Sequence, residues 1–162
     1  PTSITRVALF VDATFEEIGA VVDTNRIDML QLHGKETPGT VAKLKAEFGL
    51  PVMKAVAMAG EDDIVIAREY EITADQVLFD AKPPKGATRP GGNALKFDWE
   101  LIAEKDWVLP WMLAGGIDSS NLAEAVYVSG AAAIDVSSGV EDAPGEKNTQ
   151  KIKELLALAK TL

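Results

Sequence analysis

No cysteine occurs among the 162 residues. Disulfides, zinc–thiolate centres and cysteine nucleophiles are therefore excluded within this chain. Histidine is nearly as scarce, with His33 the single one. With no second histidine, no cysteine and no carboxylate pair at ligand spacing, no metal site is expected. No apolar run approaches the ~20 residues that a membrane span needs. The opening segment, Pro1-Thr2-Ser3-Ile4-Thr5-Arg6, lacks the basic-then-apolar pattern of a signal peptide. A cytoplasmic setting, away from any membrane, is the expectation. Lysine and arginine form no cluster or stripe, which argues against a nucleic-acid partner. The net charge of −9 reads as a solubility feature. It leaves room for an anionic ligand, because backbone N–H groups at helix N-termini bind phosphate without net positive charge.

What is present is a regular alternation. Residues 1–162 read as a single domain by length. Apolar runs of strand length are Val7–Val11, Met29–Leu32, Val52–Val56, Gln76–Phe79, Trp111–Ala114 and Ala133–Val136. They are near-continuous rather than alternating, the pattern of parallel strands covered on both faces. Helix signals lie between them. Thr14-Phe15-Glu16-Glu17 reads as a capping box, with Phe15, Ile18, Val21 and Val22 as the buried stripe. Thr37-Pro38 opens a second helix, which Gly49 and Pro51 close. Glu61-Asp62-Asp63 places acid in a first turn. Asp98 can cap a segment from Trp99, and Asp118 or Ser119 one through Leu122, Ala125 and Val126. A last helix begins near Asn148-Thr149, with Ile152, Leu155, Leu156 and Ala159 on one face. Six strand–helix units leave two α/β architectures open, a doubly wound sheet or an incomplete (β/α)8 barrel. The long loop Pro83–Asn93, after the fourth run, has the length of an active-site loop.

In either architecture, polar residues at the C-terminal ends of parallel strands face the ligand crevice. Asp12, Gln31 with His33, Asp80 with Lys82, Gly115-Gly116, and Asp135 with Ser137-Ser138-Gly139 hold those positions. Packing does not call for acids there, because burying an unpaired carboxylate is costly. Asp80 reads either as a general acid or as a carboxylate that caps the loop or pairs with Lys82. His33 reads either as a donor to substrate or as a support for its strand end. Gly115-Gly116 alone would be a turn. Followed one unit later by Ser137-Ser138-Gly139, it points to a phosphate site built from backbone N–H groups. Gly91-Gly92 fits no dinucleotide fingerprint, lacking both the preceding strand and the third glycine.

Several of these motifs resemble one family in its own order. Leu30-Gln31-Leu32-His33-Gly34-Lys35-Glu36 and Leu78-Phe79-Asp80-Ala81-Lys82 resemble phosphoribosylanthranilate isomerase. So do Gly91-Gly92 with Lys96-Phe97-Asp98-Trp99, and Leu113-Ala114-Gly115-Gly116-Ile117 with Asn121. Ile134-Asp135-Val136-Ser137-Ser138-Gly139-Val140-Glu141, with Pro144-Gly145 and Lys147, completes the series. The resemblance implies a (β/α)8 TIM barrel and an isomerase of tryptophan biosynthesis that uses no cofactor. Its reaction is the Amadori rearrangement of N-(5-phosphoribosyl)anthranilate to 1-(2-carboxyphenylamino)-1-deoxyribulose 5-phosphate. It implies Asp80 as general acid and Gln31, His33 and Asp135 as pocket residues. Gly115, Gly116, Ser137, Ser138 and Gly139 match the family's phosphate-binding strand ends.

Two family features have no counterpart in this sequence. One is the general base, a cysteine in a Lys-Ile-Cys-Gly-like motif on the first strand. The other is an arginine after the second strand, expected to hold the anthranilate carboxylate. On this reading the chain carries units three to eight, with about two βα units absent before Arg6-Val7-Ala8-Leu9-Phe10-Val11. A catalytically incomplete phosphate-binding fragment, self-associating or pairing with an N-terminal complement, is the alternative. A different phosphate-handling barrel, such as an indole-glycerol-phosphate synthase or an epimerase, fits less well with the Asp80 strand end and Phe97-Asp98-Trp99.

Overall fold

A computed structural model describes residues 4–82 and 96–162. The Pro83–Asn93 loop, including Gly91 and Gly92, lies outside the described residues. Strands β1 (Val7–Phe10), β2 (Met29–Leu32), β3 (Val52–Met58), β4 (Gln76–Ala81) and β5 (Trp111–Leu113) form one parallel sheet. Their order in space is their order in sequence. A doubly wound sheet would reverse direction at a switch point, whereas a barrel wall adds each strand beside the last. The fold is therefore part of a (β/α)8 barrel. Helices α1 (Phe15–Thr24), α2 (Pro38–Phe48) and α3 (Glu61–Glu69) join the first four strands. Further on lie α4 (Leu122–Ser129), a small antiparallel hairpin of β6 (Glu141–Ala143) and β7 (Glu146–Lys147), and α5 (Thr149–Ala159).

The strand side chains sort by parity into two apolar layers. Leu30, Leu32, Val52, Val56, Val77, Phe79 and Leu113 pack toward the helices. Met53, Ala55, Leu78 and Ala114, with Met29 and Met112, form a separate cluster on the other face, the barrel interior. Because side chains alternate along a strand, the interior face also receives Gln31, Asp80 and Asp135.

Most caps form as the sequence predicts. Thr14 and Glu17 make a reciprocal capping box on α1. Thr37 caps α2 ahead of Pro38, and Gly49 ends it at φ 62°. Asn148 caps α5 through Gln150 N and Lys151 N. Asp63 Oδ2 accepts from Ala59 N and Gly60 N at the start of α3.

Four expectations need correction. Ala133–Val136 joins the sheet through a single bridge, Leu113 to Ile134, rather than as a full strand. The chain turns at once into a 3-10 turn, Ser138–Val140, which cuts the ladder short. The helix expected from Trp99 is only a 3-10 turn, Trp99–Leu101, because the chain bends away through Glu104 at φ 51°. Asp118 caps a turn rather than α4 itself, accepting from Ser120 N, while Asn121 holds the N-cap position. Phe15 and Leu156 are exposed although they fall on the predicted stripes. Phe15 keeps Phe48 as an aromatic neighbour, with ring centroids 6.4 Å apart.

Candidate active site

The C-terminal ends of the strands enclose a cleft of about 310 Å³. It is lined by Gln31, His33, Asp80, Gly115, Gly116, Asp135, Ser137 and Ser138, together with Leu9 and Val11 of the β1 end. Of the nine predicted site residues, eight line this cleft. The ninth, Gly139, stands behind it.

Asp80 is buried near the end of β4. Its Oδ1 accepts a hydrogen bond from Ala81 N at 2.8 Å, and its Oδ2 lies 3.1 Å from His33 Nε2. The alternative pairing of Asp80 with Lys82 is not made. Lys82 Nζ instead reaches Asp63 Oδ1 at 3.2 Å. His33 Nδ1 lies 3.4 Å from Gln31 Oε1, and Gln31 Nε2 reaches Met53 Sδ at 3.3 Å. The interior face thus carries a continuous polar chain from Met53 through Gln31 and His33 to Asp80. Burial, then the Asp80 carboxylate, pushes the Asp135 carboxyl above the usual carboxylate range, while His33 and Lys147 pull the other way. Asp135 therefore holds its proton more readily in the cleft than it would in open solvent.

The glycine and serine strand ends are packed on each other. Gly115 has φ 89°, and a Cβ there would come within 2.7 Å of Ala81 N and 3.0 Å of Asp80 Oδ1. Gly139 backs onto Ile117, where a Cβ would overlap the Ile117 carbonyl. Asn121 ties the first loop to its helix, donating from Nδ2 to Gly116 O and accepting from Asp118 N. Lys147 Nζ binds Ser137 O at 2.9 Å and Ser137 Oγ at 3.1 Å, holding the second loop. Among the described residues, no group of three or more His, Asp or Glu side chains could hold a metal ion.

Asp12 plays a different part from its neighbours. It has φ 50°, its N–H donates to Glu36 Oε1 at 2.9 Å, and its Oδ1 accepts from Lys35 N. It is therefore a clamp on the β2 loop. Sequence reasoning passed over the other half of that clamp, Lys54. The signal was there, since a lone charge inside the apolar run Val52–Val56 demands a buried partner.

Residues 1–157 match the family described as N-(5'-phosphoribosyl)anthranilate (PRA) isomerase. An N-(5'-phosphoribosyl)anthranilate isomerase of Cereibacter sphaeroides is 54% identical over 160 residues, covering 99% of this chain and 76% of the relative. One from Paramagnetospirillum magneticum is 51% identical, covering 99% and 74%. Among solved structures, phosphoribosyl anthranilate isomerase from Thermotoga maritima superposes with a TM-score of 0.83 at 33% identity, covering 100% of this chain and 76% of that one. Another was solved in complex with reduced 1-(o-carboxyphenylamino)-1-deoxyribulose 5-phosphate, at 31% identity and a TM-score of 0.82. A match of this extent, on the fold and the strand ends described above, establishes that the chain belongs to the N-(5'-phosphoribosyl)anthranilate isomerase family.

Proposed function

We propose that the chain catalyses the Amadori rearrangement of N-(5'-phosphoribosyl)anthranilate, a step of tryptophan biosynthesis, with Asp80 as its general acid. The observation that carries this reading is the placement of Asp80. It is a buried carboxyl on the interior face, with one oxygen fixed by backbone and the other against His33, at the cleft end lined by Gly115 and Gly116.

Protonation of the furanose ring oxygen by Asp80 breaks the C–O bond and leaves an iminium at the anomeric carbon. Removal of the proton from the adjacent carbon then gives an enolamine, which tautomerises to the ketone. His33 Nε2, at 3.1 Å from Asp80 Oδ2, is placed to support the proton that Asp80 donates. Asp135 and Gln31 line the same wall and hydrogen-bond the sugar. Backbone N–H groups of the Gly115-Gly116 and Ser137-Ser138-Gly139 loops take the phosphate. Lys147, paired with Glu141 Oε1 at 2.7 Å, holds the Ser137 loop at that end. The site works without a cofactor.

A second reading concerns the step at carbon. The sequence contains no cysteine to serve as the family-type base. Among the described residues, β1 pairs with β2 alone, and its interior-face side chains Val7, Leu9 and Val11 are 42–55% exposed. On this reading a further βα segment pairs with β1, completes the barrel and supplies the base.

The phosphate assignment is tested by inhibition. Inorganic phosphate should compete with the phosphoribosyl substrate. Inhibition independent of substrate concentration would remove the two loops from the phosphate role.

A further inference from the structure

Below the floor of the cleft, on the helix side of the sheet, lies an ion pair that the proposed chemistry does not use. Lys54 is 2% exposed and Glu36 is 6% exposed. Lys54 Nζ lies 3.1 Å from Glu36 Oε2. The same ammonium donates to Leu32 O at 3.1 Å, Gly34 O at 2.8 Å and Ala55 O at 2.9 Å. Leu32 and Gly34 are the two neighbours of His33. One buried cation therefore holds the backbone on both sides of the residue that meets Asp80.

Glu36 completes the clamp from above. Its Oε2 accepts from Gly34 N at 3.0 Å, and its Oε1 accepts from Asp12 N at 2.9 Å. Its carbonyl accepts from the Tyr70 hydroxyl at 2.9 Å. The β2 end is thereby tied to the β1 end, to β3 and to the end of α3 at once. Burial lowers the Lys54 pKa, and the Glu36 carboxylate works against that shift. A buried pair of this kind is costly to form and adds little net stability compared with an apolar filling of the same shape. Backbone positioning gives such a pair a use that apolar packing could not supply.

We infer that Lys54 and Glu36 are positioning residues for catalysis, fixing the backbone at His33 so that its imidazole meets Asp80. Neither touches the cleft, so both act through the strand end. The inference rests on the proposed role of Asp80, but one of its readouts does not depend on turnover. His33 is the only histidine in the chain, so its imidazole gives a single set of 15N and Hε1 resonances.

The experiment compares the parent with Glu36→Gln, Lys54→Met and Asp80→Asn, together with Asp75→Asn. Asp75 pairs with Lys45 and Val52 N at the opposite, N-terminal end of the sheet, and serves as the control for general destabilisation. All are measured at temperatures where circular dichroism shows them folded. The imidazole resonances of Glu36→Gln and Lys54→Met should move away from the parent's, in the direction of Asp80→Asn, while Asp75→Asn leaves them in place. Turnover number should fall by about 100-fold in both variants, the scale set by small displacements of a catalytic group. KM should change by less than about threefold, because phosphate and sugar contacts are untouched. If Lys54→Met does not fold, Glu36→Gln, which keeps the side-chain shape, decides the matter alone. Parent-like imidazole resonances in folded Glu36→Gln would overturn the inference, as would a loss of turnover no greater than that of Asp75→Asn. A parent without isomerase turnover both alone and with the first two βα units of a relative added would instead overturn the functional reading, and the imidazole comparison would still decide the positioning role.

Discussion

Asp80 offers the test at the scale of a single residue. The Asp80→Asn variant keeps an oxygen to accept from Ala81 N and an amide facing His33, so the fold should survive it. It cannot donate the ring-opening proton, and general acid–base groups contribute roughly 100- to 10,000-fold. Turnover should fall within that range while the melting temperature moves by only a few degrees. Asp135 gives a prediction of the opposite kind, on stability and pH. Its carboxyl is raised above the usual range by burial and by Asp80. The folded state therefore binds a proton more tightly than the unfolded state, whose value is about 3.9. Stability then falls as pH rises from that value through the folded one, and the cost remains at neutral pH. Asp135→Asn should melt at a higher temperature than the parent at pH 7, with the gain shrinking toward pH 4. A gain unchanged by pH would show that ionisation of Asp135 is not its source. Asp80, Gln31 and His33 could be read from the sequence because each is a polar residue at the end of an apolar run. Lys54 and Glu36 could not be paired in the same way. Their contact depends on β2 and β3 lying side by side, with Leu32 opposite Lys54.

At the scale of elements, the two candidate phosphate loops behave as one unit because glycine lets them touch. A methyl group at residue 139 would overlap the Ile117 carbonyl. Gly139→Ala should therefore push the loops apart, costing about 1–3 kcal/mol as an overpacked site does. It should also raise KM for the phosphorylated substrate by about tenfold or more, the equivalent of ~1.4 kcal/mol. Parent-like KM and melting temperature would mean that the loops do not depend on this contact. The helices were legible because their caps are local, as in Thr14 with Glu17 and Thr37 with Pro38. The short elements were less so. The 133–136 segment has the composition of a strand, but its pairing is limited by the turn that follows, which composition does not encode. The β6–β7 hairpin was missed although Pro144-Gly145 supplies a suitable turn, with Gly145 at φ 87°. Its strands are too short for a hydrophobic period to show.

At the scale of the molecule, strand order decided what periodicity left open. Six apolar runs suit a doubly wound sheet as well as a barrel, and only the pairing of each strand with the next in sequence selects the barrel. The same view exposes the β1 edge. Val7, Leu9 and Val11 present apolar side chains beside an edge that no strand pairs with among the described residues, a surface that favours strand addition. The chain spans 76% of the length of the Cereibacter sphaeroides relative. A polypeptide comprising the first two βα units of a relative should therefore bind this edge and slow exchange of the amide protons of residues 7–10. Unchanged exchange at saturating peptide would rule out that mode of completion.

The proposed role of these residues is to form the acid-bearing wall of a phosphoribosylanthranilate isomerase. It is tested most directly by the rate at which the purified chain consumes N-(5'-phosphoribosyl)anthranilate, alone and with those two βα units added, each set beside Asp80→Asn. Turnover is expected in at least one of the two conditions, lost by about 100-fold or more on Asp80→Asn. Absence of turnover in both, or turnover indifferent to the loss of the Asp80 carboxyl, would contradict it.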